Sequence, residues 1–195
     1  MTERARRENW RDLPPQNWAE REAHRLSLAI YALRKGASAQ WLSDRTEALG
    51  HRVSRSVISD LETGRRRYVT TAELTVIAAA LNTSPVALVY PGPYDQDVEL
   101  LPGVARREVA AAQWFSGFAY WATDVPEARN DGNVWLRNTQ GLRLSRELES
   151  AQLARARLLA RGQLDLDRDQ IAFYDSQIER LAREILLARQ DGADA

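Results

Sequence analysis

Between Ser38 and Arg67 lie residues whose types and spacing suit contact with a polyanion. Ser38 and Gln40 come first, then Arg52, then Ser54-Arg55-Ser56 and Ser59, and finally Arg65-Arg66-Arg67 behind a glycine. Arg presents a planar fork of donors that fits a phosphate or the O6/N7 edge of guanine. Residues 52–67 hold five Arg against Asp60 and Glu62, a local excess of +3. If about three to five phosphates are neutralised per domain, affinity falls steeply with salt. Arg55 and Ser56 would occupy the first turn of a helix, where free N–H groups and the dipole favour an anion. Ser59 lies one turn further on the same face, while Val57, Ile58 and Leu61 point back into the protein. Arg65, Arg66 and Arg67 follow the helix and would run along a nucleic-acid backbone. Asp60 would repel phosphate, so it reads as facing cytosine, another side chain or solvent. Glu62 reads as a local cap or a partner for an Arg.

Other reactive sets do not assemble. There is no Cys, and His24 and His51 are the only histidines. Thiolate metal sites, disulfides and a thiol nucleophile are therefore excluded, and neither a metal nor a cofactor is expected. Asp165, Asp167 and Asp169 alternate, but the glycine and glutamate of a calcium loop do not follow, so they read as helix-capping residues. The aromatic cluster Trp114, Phe115, Phe118, Tyr120 and Trp121 lacks interleaved cations and reads as packing rather than a base-stacking platform. No Gly-rich phosphate loop, nucleophile elbow or catalytic carboxylate pair is present. The chain does not read as an enzyme.

The elements that would position these residues are short helices. Residues 1–18 read as an irregular N-terminal arm with Pro14-Pro15 and two Trp. From Ala19 to Lys35, the apolar residues Ala23, Leu26, Ala29, Ile30 and Leu33 share one helix face. Gly36 ends that helix, and Ser38 caps a second one that Gly50 closes. Ser54 caps a third, stopped by Gly64. Thr70 and Glu73 form a capping box for a fourth, and Ser84-Pro85 opens a fifth. These five helices make a domain over 19–91, with a linker at 92–103. The stretch VELLPGVARREV fits a small hairpin or a turn into a helix. A helix is predicted from Ala105 to Ala122, and another from about Leu142 to Arg161, broken by Gly162. The last helix, to about Gln190, carries Ile171, Tyr174, Ile178, Leu181, Ile185 and Ala188 at spacings of 3, 4, 3, 4, 3, an a/d seam.

The segment SRSVISDLETGRRR resembles the recognition helix of the lambda-repressor-like Xre/Cro family of helix-turn-helix regulators. The family pattern S-R-x-x-I-S-x-I-E-x-G-x-R stands here as Ser54, Arg55, Ile58, Ser59, Leu61, Glu62, Gly64 and Arg66. LRKGASAQWLS resembles the end of helix one and the start of helix two, and TTAELTVIAAALNTSPVAL resembles helices four and five. Two departures stand out. The connection from Leu42 to Ile58 is longer than the family's usual spacing, and Ala39 occupies the place of a frequent Gln, with Gln40 next. The resemblance, over about residues 22–90, implies an all-α fold. In it, a five-helix DNA-binding domain would be followed by a helical domain ending in a helical hairpin. It implies binding to double-stranded DNA through Ser38, Gln40, Arg52, Ser54, Arg55, Ser56, Ser59, Arg65, Arg66 and Arg67.

Composition complicates this reading before it supports it. The 195 residues hold 27 Lys+Arg and 27 Asp+Glu, a net charge of zero. Residues 1–91 carry +4, however, and residues 92–195 carry −4. A phosphate-binding surface needs only a local excess. The acidic half, 104–195, is the natural dimerisation domain. Its seam of Ile171, Tyr174, Ile178, Leu181 and Ile185 would pack on the helix from Leu144 to Leu158, and a second copy would complete the bundle. The expected function is a cytoplasmic transcriptional regulator, a repressor that binds a near-palindromic operator as a homodimer. The alternative is an antitoxin or adaptor that captures protein partners with its C-terminal helices. No apolar run reaches the ~20 residues a membrane helix needs, and no secretory signal is expected.

Overall fold

The structure, a computed structural model, describes residues 9–120, 131–163 and 165–191. It is mostly helical and divides into two compact units at Ser116/Gly117.

The first unit begins with five helices: α1 (Trp18–Leu33), α2 (Ala39–Ala48), α3 (Arg55–Thr63), α4 (Thr71–Ala80) and α5 (Pro85–Val89). Each start follows from a side-chain cap that satisfies an otherwise orphaned N–H. Asn17, Ser38, Ser54, Thr70 and Ser84 accept from Glu20, Trp41, Val57, Glu73 and Ala87 respectively. The Thr70–Glu73 box is reciprocal, because the Glu73 carboxylate also accepts from the Thr70 N–H at 2.9 Å. Gly64 ends α3 with φ +84, a conformation that L side chains rarely adopt. The apolar faces meet in one core of Leu26, Ala29, Ile30, Leu42, Val53, Ile58, Val76, Ile77 and Leu88. Ile58 and Leu61 are buried, as their spacing predicts, whereas Leu33 stays 37% exposed at the C-terminal end of α1.

The long connection between α2 and α3 is an ordered turn held from within α2. Gly50 takes φ +87. The Thr46 hydroxyl donates to Ser43 O (2.8 Å) and accepts from the buried Val53 N–H (2.9 Å). Val53 then drops into the core at 2% exposure.

Two sequence expectations are corrected in this unit. Residues 92–103 are not a linker. Strands β1 (Asp97–Leu101) and β2 (Val104–Arg107) pair antiparallel, and α6 (Glu108–Phe115) follows directly. The hairpin is tied to α1: Trp18 Nε1 donates to Glu99 O (3.2 Å), and Arg21 pairs with the Glu99 carboxylate at 2.6 Å. Glu108 is buried and accepts from the Gly92 N–H at 2.9 Å. The helix expected over Ala105–Ala122 is therefore shorter, because Val104 to Arg107 satisfy their backbone groups across the hairpin instead. Trp121 and the segment to Asn130 lie outside the described residues.

The second unit contains α7 (Gly132–Asn138), α8 (Gln140–Arg161) and α9 (Arg168–Asp191). Gly162 ends α8 in the left-handed region, φ +71. α8 and α9 pack against each other as the expected hairpin. Its core is Leu144, Ala151 and Leu181, flanked by Leu148, Tyr174, Ile178 and Ile185. Arg155 and Asp175 form an ion pair between the two helices. The a/d seam of α9 is thus used within the chain.

Candidate nucleic-acid interface

The N-termini of α2 and α3 and the C-terminal end of α1 border a polar cleft of about 380 Å³. Its lining includes Tyr31, Arg34, Ser38, Arg55, Ser59 and Glu62. Ser38 and Ser54 spend their oxygens on helix caps, and Ser54 Oγ also lies 2.9 Å from Ser56 Oγ. Both helices therefore begin in a fixed pose, with Gln40 of α2 and Arg55 and Ser56 of α3 exposed in their first turns. Arg55 is exposed, and among the described residues its guanidinium has no hydrogen-bond or ion-pair partner. Ser59 lines the cleft one turn further along α3. Gln40 is exposed, and its amide donates along α2 to Asp44 at 2.6 Å.

The floor of the cleft is an ion pair that sequence reading only half anticipates. Glu62 takes a two-pronged contact from Arg34, with both N···O distances 2.8 Å and side-chain exposures of 8% and 13%. Arg34 also donates to the Ala37 carbonyl. One guanidinium thus joins the end of α1, the turn before α2 and the last turn of α3. Glu62 does pair with an Arg, but with one 28 positions away rather than locally. The choice of Arg34, in the preceding LRKG segment, is visible only in the fold.

The arginines after α3 are corrected most. Arg66 does not lie free along a surface. It makes two hydrogen bonds to Glu73 (2.7 and 2.9 Å), both side chains being 14% exposed, and it stacks 4.4 Å from the Tyr68 ring centroid. Burial opposes the Glu73 charge, but hydrogen bonds from Arg66 and Thr70 outweigh it and hold the carboxyl below its ordinary value. Arg67 is equally committed. It donates to Glu20 (2.8 Å), Leu13 O (2.8 Å) and Gly64 O (3.2 Å), and lies 4.5 Å from the Trp10 ring centroid. Neither guanidinium is available to phosphate without breaking these contacts. Arg65 stays about half exposed while pairing with Asp60 at 2.7 Å, and Arg52 pairs loosely with Glu47 at 3.7 Å. Exposed pairs of this kind hold weakly and can exchange for phosphate. Of the five arginines in 52–67, those left for a polyanion are thus Arg55, Arg52 and Arg65.

No family model, curated protein or solved structure matches the chain. The candidate interface therefore stands on its own residues.

The remaining expectations fall elsewhere. His51 is exposed in the turn, and His24 lies against Trp10, their ring centroids 4.8 Å apart. Burial lowers the His24 pKa. Among the described residues, no group of three or more His, Cys, Asp or Glu could hold a metal ion, and no helix is long and apolar enough to cross a membrane. The aromatic cluster divides between the units. Phe115 meets the buried Tyr90 edge-on at 5.7 Å, while Phe118 lies under Arg146 at 4.1 Å and is 67% exposed.

Proposed function

We propose that this chain is a sequence-specific DNA-binding transcriptional regulator of the lambda-repressor-like helix-turn-helix kind. It acts in the cytoplasm as a repressor, binding a near-palindromic operator as a dimer. One observation carries the reading. Arg55 stands in the first turn of α3, behind the Ser54 cap, exposed and with no hydrogen-bond or ion-pair partner among the described residues, at the edge of a polar cleft that Ser38 and Ser59 also line. A helix presented to the major groove puts its N-terminal side chains on base edges, and an unengaged Arg there can take both acceptors of a guanine. The capped starts of α2 and α3 offer backbone N–H groups to flanking phosphates.

The division of labour among the arginines supports specificity over bulk charge. Arg34, Arg66 and Arg67 hold the unit together, which leaves three of the five arginines in 52–67 for contact with DNA. A single small headpiece reads few base pairs, and dimerisation on half-sites about one helical turn (roughly 34 Å) apart supplies the rest. Selection of genomic fragments on the purified chain tests the reading. The expected result is an enriched near-palindrome whose affinity drops on Arg55→Ala; failure to enrich any sequence would overturn it.

A second reading, an antitoxin or adaptor, has its own observation. Phe118, Phe173, Leu186 and Leu187 of the second unit are each more than half exposed, the kind of surface a protein partner covers. A specific partner retained after deletion of residues 19–91 would favour it.

A further inference from the structure

We infer that residues 9–17, expected from sequence to be an irregular arm, are part of the recognition unit: Trp10 caps the C-terminal end of α3 and sets the pose in which Arg55 is presented. The inference rests on the proposed DNA-binding reading and assigns positioning residues to that same site.

The last carbonyls of any helix lack intrahelical donors. At the end of α3, Gly64 and Arg66 supply two donors from the chain itself, to Leu61 O (3.2 Å) and Asp60 O (2.9 Å). This closure needs the left-handed Gly64. Trp10 supplies two more. Its backbone N–H donates to Thr63 O (2.8 Å), and its indole Nε1 donates to Leu61 O (3.3 Å). The indole lies flat on Gly64, where a Cβ would come within 2.4 Å of Trp10 Cδ2. Gly64 therefore does two jobs: it takes the turn, and it leaves room for the ring.

The strap is fastened from its other side as well. Arg67 covers the indole, and its guanidinium binds Leu13 O in the strap and Glu20 in α1. Glu20 in turn accepts from Gln16 N–H at 2.8 Å. These bonds hold the Glu20 carboxyl below its ordinary value, the Gln16 N–H contributing most. One end of α3 is thus fixed to the start of α1 through Trp10 and Arg67. The Arg34–Glu62 pair fixes the same last turn of α3 to the end of α1. A rigid nine-residue helix held at its C-terminal end points its N-terminal end in one direction. Among the described residues Arg55 has no hydrogen bond or ion pair of its own to hold it there, so its aim depends on that anchorage.

The test is a double-variant cycle on full-length protein, using a selected duplex and a scrambled one. Trp10→Ala should weaken binding to the selected duplex by about tenfold and leave scrambled binding nearly unchanged, because a base contact is lost and phosphate contacts are not. Combined with Arg55→Ala, the effects should be less than additive, since both remove the same contact. Trp10→Phe keeps the ring and the backbone donor and should restore most of the affinity. Gly64→Ala, which drives the ring off from the other side, should reproduce the loss. Additive effects, or wild-type selectivity in Trp10→Ala, overturn the inference. Hydrogen exchange separates it from the functional reading. Faster exchange of α3 amides in Trp10→Ala is expected even if no duplex is ever bound, and unchanged exchange overturns the capping role directly.

Discussion

At the residue scale, five arginines that look alike in sequence divide into two jobs. Arg66 and Arg67 are structural because Glu73 and Glu20 face them, partners 7 and 47 positions away. The first partner is legible in principle: Glu73 is visible as the capping-box acid, and its second carboxylate oxygen needs a donor. The second is not legible, because nothing local ties Glu20 to Arg67. The division has a measurable consequence. Arg66→Ala leaves Glu73 largely buried without its counter-ion and should destabilise the fold by about 2–3 kcal/mol, read as a lowered urea midpoint. Once folding is ensured, the salt dependence of DNA binding should not change. Arg55→Ala should do the opposite: it should leave the urea midpoint in place and weaken binding to the selected duplex while changing its salt dependence little.

At the element scale, the helix starts are readable because each cap is a local event. Ser38, Ser54, Thr70 and Ser84 stand before apolar runs, and all four accept the bonds their positions predict. The hairpin over Asp97–Arg107 is harder, because short apolar stretches around a Pro-Gly pair fit a strand or a helix start equally well. What decides is distant: Trp18 and Arg21 of α1 hold Glu99. The extended connection between α2 and α3 is likewise ordered by a buried hydroxyl. Thr46→Val keeps the shape but strips the Val53 N–H of its acceptor and should cost about 1–3 kcal/mol, measurable by denaturant titration. The α3–α4 corner should also be acid-sensitive. Glu73 has a folded pKa below the ordinary 4.5, so its contribution is present above that value and is lost as pH falls through the lower folded one. A wild-type urea midpoint that drops across this window, with a smaller drop in Glu73→Gln, is the expected outcome.

At the scale of the whole molecule, a net charge of zero conceals a basic first half and an acidic second half. The structural break falls later than the composition suggests, at Ser116/Gly117, since the strands and α6 fold with the first unit. The a/d seam of α9 is legible as a buried face, but sequence does not say whether α8 or a second copy covers it, and α8 does. Tyr174, Ile178 and Ile185 stay partly exposed beside that contact, the positions a second copy would cover in the proposed dimer. Sedimentation of the chain with an enriched duplex should give two copies per duplex; one copy would count against a near-palindromic operator. If the acidic half limits non-specific binding, neutralising Glu and Asp residues in 143–190 should raise affinity for random DNA. The most direct test of the central claim is fluorescence anisotropy on selected and random duplexes at one salt concentration, comparing wild type with Arg55→Ala. The expected result is a strong wild-type preference for the selected duplex that falls by roughly tenfold or more in the variant, with random-duplex affinity little changed. Equal binding of both duplexes by the wild type, or an unchanged preference in the variant, would contradict it.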